Sequence, residues 1–304
     1  MKKPVLLFAL VLVSSFWGAQ SLWAQANRAC GVMVMAHGGT DEWNAAVEAA
    51  VAPLKDRIPT AIAFGMADPA TLKQAVVTLE EQGVDCIAVV RLFMSAHSFR
   101  HQTEYLLGLR ADPPPFFISH GGHGAHPGSD AEDPQPLSVN AEILLSQEGL
   151  LDAPQMGDVL AQRAMSMSDE SGQESVLVIA HGPGDDAENE EWLRKLDALA
   201  DSIRATGSFT SVAVHTLRED WEEKRAEAEQ RIRAFVETQS KDKGRVLVIP
   251  FRLYGFGPYA EVLDGLSYEA NGMGLLPSSM VTDWIIEQAQ KTLKESGWSA
   301  DALQ

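Results

Sequence analysis

Apolar runs of strand length alternate with helical patterns along most of the chain. In the first half the runs 31–36, 60–65 and 86–92 are almost wholly apolar, as expected of strands covered on both faces of a parallel sheet. Between and after them the apolar positions recur at helical spacing. They predict a helix over 41–56 with Ala46, Val47 and Leu54 on its inner side, one running from Pro69 in its first turn to Gln82, and one over 99–109. A short strand at Phe116–Ser119 is expected next, and the segment 111–137, rich in Pro, Gly, His and Asp without periodicity, reads as a long loop. The second half repeats the order with strand 175–180, helix 187–204, strand 210–215, a charged helix 219–238, strand 245–250 and a closing helix 279–294. This alternation predicts an α/β fold of two tandem doubly wound halves, each a parallel sheet with helices on both faces.

One short pattern occurs twice. Val32-Met33-Val34-Met35-Ala36-His37-Gly38-Gly39 is answered by Val176-Leu177-Val178-Ile179-Ala180-His181-Gly182-Pro183, with an acid four residues after each histidine, Asp41 and Asp185. The halves are therefore read as products of internal duplication, and each puts a histidine at the carboxyl end of a buried parallel strand, the edge where open α/β sheets bind ligands. Met33 and Met35 alternate along a strand and belong to the core. A structural role is expected of His215, between Val214 and Thr216 at a strand end.

Ahead of the fold, residues 1–26 read as a secretory signal: Lys2 and Lys3, an apolar stretch from Val5 to Val13, and Ala24-Gln25-Ala26 as a cleavage site. The apolar stretch is too short to span a bilayer. The mature chain then begins near Asn27 as a periplasmic or secreted protein. Its halves are taken as 27–165 and 166–304, divided at the polar stretch 166–173. Loss of Lys2 and Lys3 without any acid takes the formal charge from −18 to −20, which disfavours nucleic acid and anionic lipid as partners. Oligomeric state is open. Cys30 and Cys86 are the two cysteines, each at the start of a strand, and the first and third strands of a doubly wound half are neighbours. A disulfide between them is expected, whereas a zinc ribbon, lacking C-x-x-C pairs, is not.

The His37-Gly38 strand end, the later Leu92-Phe93-Met94-Ser95-Ala96 strand end followed by histidines, and the duplicated half together resemble the class II chelatases, the sirohydrochlorin cobalto- and ferrochelatases. Gly257-Pro258-Tyr259-Ala260-Glu261-Val262-Leu263, the tail Gly274-Leu275-Leu276-Pro277 and Trp284 resemble the long, two-half members. The resemblance implies insertion of a divalent metal into a tetrapyrrole by two histidines at the ends of the first and third strands. The first maps onto His37. The second is His101, with Glu104 three residues on, or His97, which lacks a following acid. The metal is the substrate, Co2+ or Fe2+ with Ni2+ or Zn2+ also possible, and no organic cofactor is expected.

The chemistry suits these residues. Metallation removes two pyrrole protons while the ion sheds water, and a neutral imidazole both ligates such ions and accepts a proton near neutral pH. Glu104 is placed to orient an imidazole or receive a proton. Gly38 and Gly39, ahead of a helix, offer N–H groups to the acidic side chains of the macrocycle. Arg100, with Arg91 and Arg110, would supply a local positive field in an acidic protein. The loop residues His120, His123 and His126 are either a metal relay or incidental. In the second half Arg252-Leu253-Tyr254 stands where the post-strand histidine would fall, so His181 is expected to lack a partner and its half to complete the cleft. The alternative is an exported, non-catalytic carrier of metal or tetrapyrrole.

Overall fold

The computed structural model describes residues 29–115, 117, 134–169, 172–241 and 244–304. The expected leader 1–26, most of the expected strand at Phe116–Ser119, and His120, His123 and His126 lie outside them. The first sheet holds β1 (Cys30–Ala36), β2 (Thr60–Phe64), β3 (Cys86–Leu92) and β4 (Glu142–Leu145) in the order β2-β1-β3-β4, all parallel. Its helices are α1 (Asp41–Lys55), α2 (Pro69–Glu80) and α3 (Arg100–Leu106). After α4 (Pro154–Met167) comes the second sheet, β5 (Glu174–Ala180), β6 (Ser211–Thr216) and β7 (Arg245–Phe251), parallel in the order β6-β5-β7. Its helices are α5 (Asp186–Thr206), α6 (Glu222–Gln239), the short α7 (Tyr259–Val262) and α8 (Ser279–Glu295). Thr40 and Asp68 cap α1 and α2 with side-chain acceptors, and Asp185 does so for α5, which fixes each helix start just past a strand's carboxyl end.

Strand alternation sorts the core. Val32, Val34 and Ala36 face α1, whereas Met33 and Met35 face α2 and α3. In the second half Val176, Val178 and Ala180 face α4 and α5, while Leu177 and Ile179 face α6 and α7. The core facing α1 is continuous with that facing α4 and α5, so one apolar body joins the halves. Two helices cross over. α4 precedes the second sheet in sequence and packs on α5 and β7, while α8, the last helix, packs on α1, β3 and β4 of the first sheet. Cys30 and Cys86 are register partners on β1 and β3 and form a disulfide. Among the described residues no helix is long and apolar enough to cross a membrane.

Candidate functional site

Both copies of the repeat end their strand in the same way. Gly38 and Gly182 take the left-handed conformation, at φ of 81° and 77°. The chain turns back there, and each histidine ring folds over the turn with Nδ1 2.8 Å from the carbonyl oxygen of that glycine. A carbonyl only accepts, so Nδ1 carries the hydrogen and Nε2 is the ring nitrogen left to meet other groups.

In the first half His37 is exposed at the carboxyl end of β1. The Gly39 N–H, expected to meet a substrate acid, is committed to Asn44 Oδ1 at 3.0 Å, because α1 starts so soon after the turn. His97 lies in the turn after β3, exposed, its N–H bonded to Ser95 Oγ at 3.1 Å, and it lies near Glu191 on α5 of the other half, whose carboxyl is lowered chiefly by the hydrogen bond and charge of Lys195. Arg91 holds that turn. It is buried and donates to the carbonyls of Ala96 (2.7 Å), Ser98 (3.1 Å) and Ser146 (3.2 Å). Burial, with the charge of Arg100, lowers its guanidinium to about 10. Arg91 is thus a clamp on the His97 turn and not a source of positive field at the surface.

α3 docks through Gln102, which donates to the carbonyls of Met66 and Ala67 beyond β2, and this leaves His101 on its exposed side. Glu104 accepts from Arg100 Nε at 2.7 Å and lies 4.0 Å from Arg110. The carboxylate therefore arrives with its own cation, and Arg110 also donates to the Asp112 carbonyl. His37 directly follows the end of β1, and His97, Arg100, His101 and Glu104 lie on the turn and helix that follow the neighbouring strand β3, with Glu104 beside β4 and α8. Among the described residues no three His, Cys, Asp or Glu side chains gather closely enough to hold an ion unaided. A recess of about 500 Å³ lined by Glu80, Asp85, Asn140 and Glu142 opens at the opposite edge of the sheet and holds none of these residues.

In the second half no histidine answers His181, but acids that the sequence did not pair with it do: its Nε2 is 3.1 Å from Asp220 and 4.0 Å from Glu219. Both acids were expected in the first turn of a helix from 219, but α6 begins at Glu222 and they occupy the loop before it. Arg218, at φ of 59° and buried, makes this loop. Its N–H bonds the His181 carbonyl at 2.6 Å, and its guanidinium donates to the carbonyls of Pro183 and Gly184 and to Asp186. Glu219 also takes Arg252 at 2.5 Å, and Arg252 lies over the ring of buried Tyr259. Burial and the charge of Glu219 raise the Tyr259 hydroxyl far above its ordinary value. For His181, burial pulls the imidazole down, but the Asp220 hydrogen bond and the charges of Glu219 and Asp220 outweigh it and raise the group. His215 behaves as a structural residue: it packs edge-on against Phe235, and burial with the charge of Arg231 lowers it.

No protein-family model matches this chain, and no curated protein matches its sequence. Among solved structures, SirB from Bacillus subtilis with Fe3+ is similar at a TM-score of 0.61 and 13% identity, over 90% of this chain and 100% of that one. The sirohydrochlorin chelatase SirB from Bacillus subtilis subspecies spizizenii, in complex with cobalt, is similar at 0.54 and 13% over the same shares. A multi-domain protein from Deinococcus radiodurans, described as similar to chelatases with two additional domains, gives 0.53 and 17% over 87% of this chain and 55% of that one. The chain thus spans about half the length of the Deinococcus protein. At these identities the likeness is one of fold, and the architecture of two tandem parallel-sheet halves is the chelatase-like one.

Proposed function

We propose that the protein inserts a divalent metal, Co2+ or Fe2+, into a tetrapyrrole such as sirohydrochlorin. The observation that carries this reading is the His37 ring: it is exposed, its Nδ1–H is spent on the Gly38 carbonyl, and among the described residues no carboxylate pairs with its Nε2. A backbone carbonyl behind an imidazole is the usual support for a metal-binding one. His181, with Asp220 against the same atom, is already engaged. The chelatase-like fold along nine-tenths of the chain supports the same assignment.

In this reading His37 is the first ligand of the incoming ion and His101 the second, with His97 the other candidate. Two pyrrole N–H protons leave as the ion enters, so charge is conserved. The imidazoles accept protons as the metal moves from them to the ring. Glu104 pairs with Arg100 on the turn of α3 after His101, and that neutralised pair, with the Gly38–Gly39 turn whose Gly39 N–H is spent on Asn44, borders the macrocycle without supplying strong anion contacts. The leader-like residues 1–26 and the Cys30–Cys86 disulfide support an exported protein.

Incubation of the purified protein with sirohydrochlorin and Co2+ or Fe2+ under anaerobic conditions tests this. Many equivalents of metallated product per protein, read from the macrocycle's absorption, are expected. A spectral change that stops at one equivalent identifies a carrier instead, and no change with either metal, or with Ni2+ or Zn2+ in their place, refutes both.

A further inference from the structure

The two halves place an indole beside each strand-end histidine by different routes. Trp43 lies six residues after His37, in the first turn of α1, whereas Trp221 lies forty residues after His181, in the loop that leaves β6. Ring centroids are 6.5 Å apart for His37 and Trp43 and 6.3 Å apart for His181 and Trp221, both edge-on. The sequence repeat does not explain this, since the tryptophans sit at non-equivalent positions in it.

Each indole also has a glycine seat. A Cβ on Gly39 would stand 3.1 Å from Trp43 Cγ, and one on Gly184 would stand 2.1 Å from Trp221 Cε2 and 2.2 Å from its Nε1. The left-handed Arg218 turns the chain so that Glu219, Asp220 and Trp221 converge on His181. Trp221 nonetheless stays 38% exposed, and Trp43, packed edge-on against Phe64, is partly exposed. A large apolar ring left open to water at the ligand-binding edge gains its free energy when something covers it.

The cations at the same edge are already engaged: Arg100 by Glu104, Arg252 by Glu219, and Lys224 by Asp186 and the Gly184 carbonyl. For an acidic protein and a polyacidic ring, charge attraction is therefore weak, and contact with the face of the ring has to carry much of the affinity. We infer that Trp43 and Trp221 bind the face of a planar conjugated macrocycle, each beside the imidazole of its own half. This rests on the tetrapyrrole reading and assigns that substrate's apolar contacts.

The test is a titration of the intact protein with metal-free sirohydrochlorin, followed by the macrocycle's own absorption, for wild type, Trp221→Leu, Trp43→Leu and Trp43→Phe. Each leucine variant is expected to raise Kd roughly three- to tenfold, the size of a lost aromatic contact. In turnover assays KM rises while kcat at saturation holds. Should Trp43→Leu fail to fold by thermal melt, Trp43→Phe and Trp221→Leu decide. Wild-type turnover together with unchanged Kd and KM in folded variants overturns the inference and leaves the functional reading standing. A wild type that binds no macrocycle overturns both.

Discussion

His37 and His181 share a backbone setting and differ in what faces Nε2, and that difference decides what each can do. With the Nδ1 hydrogen fixed on a carbonyl 2.8 Å away, His37 has one lone pair to offer and nothing among the described residues competing for it. His37→Ala is expected to lower chelation at least about a hundredfold, with the melting temperature near that of wild type because the side chain is exposed. Retained turnover in that variant would remove His37 from the site. His181 works differently. Its folded pKa lies above the unfolded value of about 6.5, so its contribution to stability is fully present below that pH and is lost as pH rises through the folded value. Denaturant titrations of His181→Ala against wild type should show the largest deficit below the unfolded value of about 6.5 and a shrinking one as pH rises through the higher folded value. A deficit that grows with pH would contradict the Asp220 pairing. The histidines themselves were legible in the sequence because they punctuate an apolar run. The partners of His181 were not, since they arrive from a different strand, and acids ahead of a helical pattern read equally well as a favourable first turn.

Each sheet is pinned at the amino ends of its first and third strands, opposite the histidines, and by different chemistry. Cys30 and Cys86 are register partners in the first sheet, and Glu174 and Arg245 are register partners in the second. The cysteine pair could be read in advance because both residues sit at strand starts. Its ionic counterpart could not, because Glu174 and Arg245 are 71 residues apart and look like ordinary strand-flanking charges. Reduction or Cys30→Ser is expected to cost about 2–4 kcal/mol, given the 56-residue separation, without moving KM. Arg245→Ala is expected to cost about 3 kcal/mol, since the Glu174 side chain is only 2% exposed and would keep a buried charge without its cation. Denaturant midpoints measure both, and an Arg245→Ala variant as stable as wild type would mean that Ser168 and the Asp169 N–H satisfy Glu174 by themselves. β4 and α4 had no counterpart among the expected elements. β4 has four residues, too few for a period to show, and α4 begins at Pro154 without a side-chain cap.

At the scale of the molecule the exchange of α4 and α8 is expected to bind the halves into one cooperative unit. No local pattern announces it, since a helix's apolar stripe states that it must be covered and not by which sheet. Once docked, Thr282 donates to the Ala50 carbonyl at 2.9 Å, Gln288 and Lys291 reach Glu148, and Arg57 holds the Leu303 carbonyl. Val281, Trp284, Ile285 and Leu293 are buried by that docking. Four large apolar side chains contribute on the order of 6–12 kcal/mol, about the whole stability of a typical domain. A chain stopped after Ser278 is therefore expected to be unfolded by circular dichroism, its first sheet having lost one covering layer although every residue of that sheet is present. Fragments 27–165 and 166–304, cut within the last turn of α4, should likewise fail to fold when produced apart, because the first carries most of α4 away from the second sheet and the second carries α8 away from the first. Produced together, they should associate and recover the secondary structure of the intact chain, and with it the proposed chelation. Calorimetry of the whole protein checks the same point from the other side: one transition is expected, with equal calorimetric and van't Hoff enthalpies. Two separable transitions, or a fragment that folds alone with native secondary structure, would show that the crossed helices add area to each half without making either depend on the other.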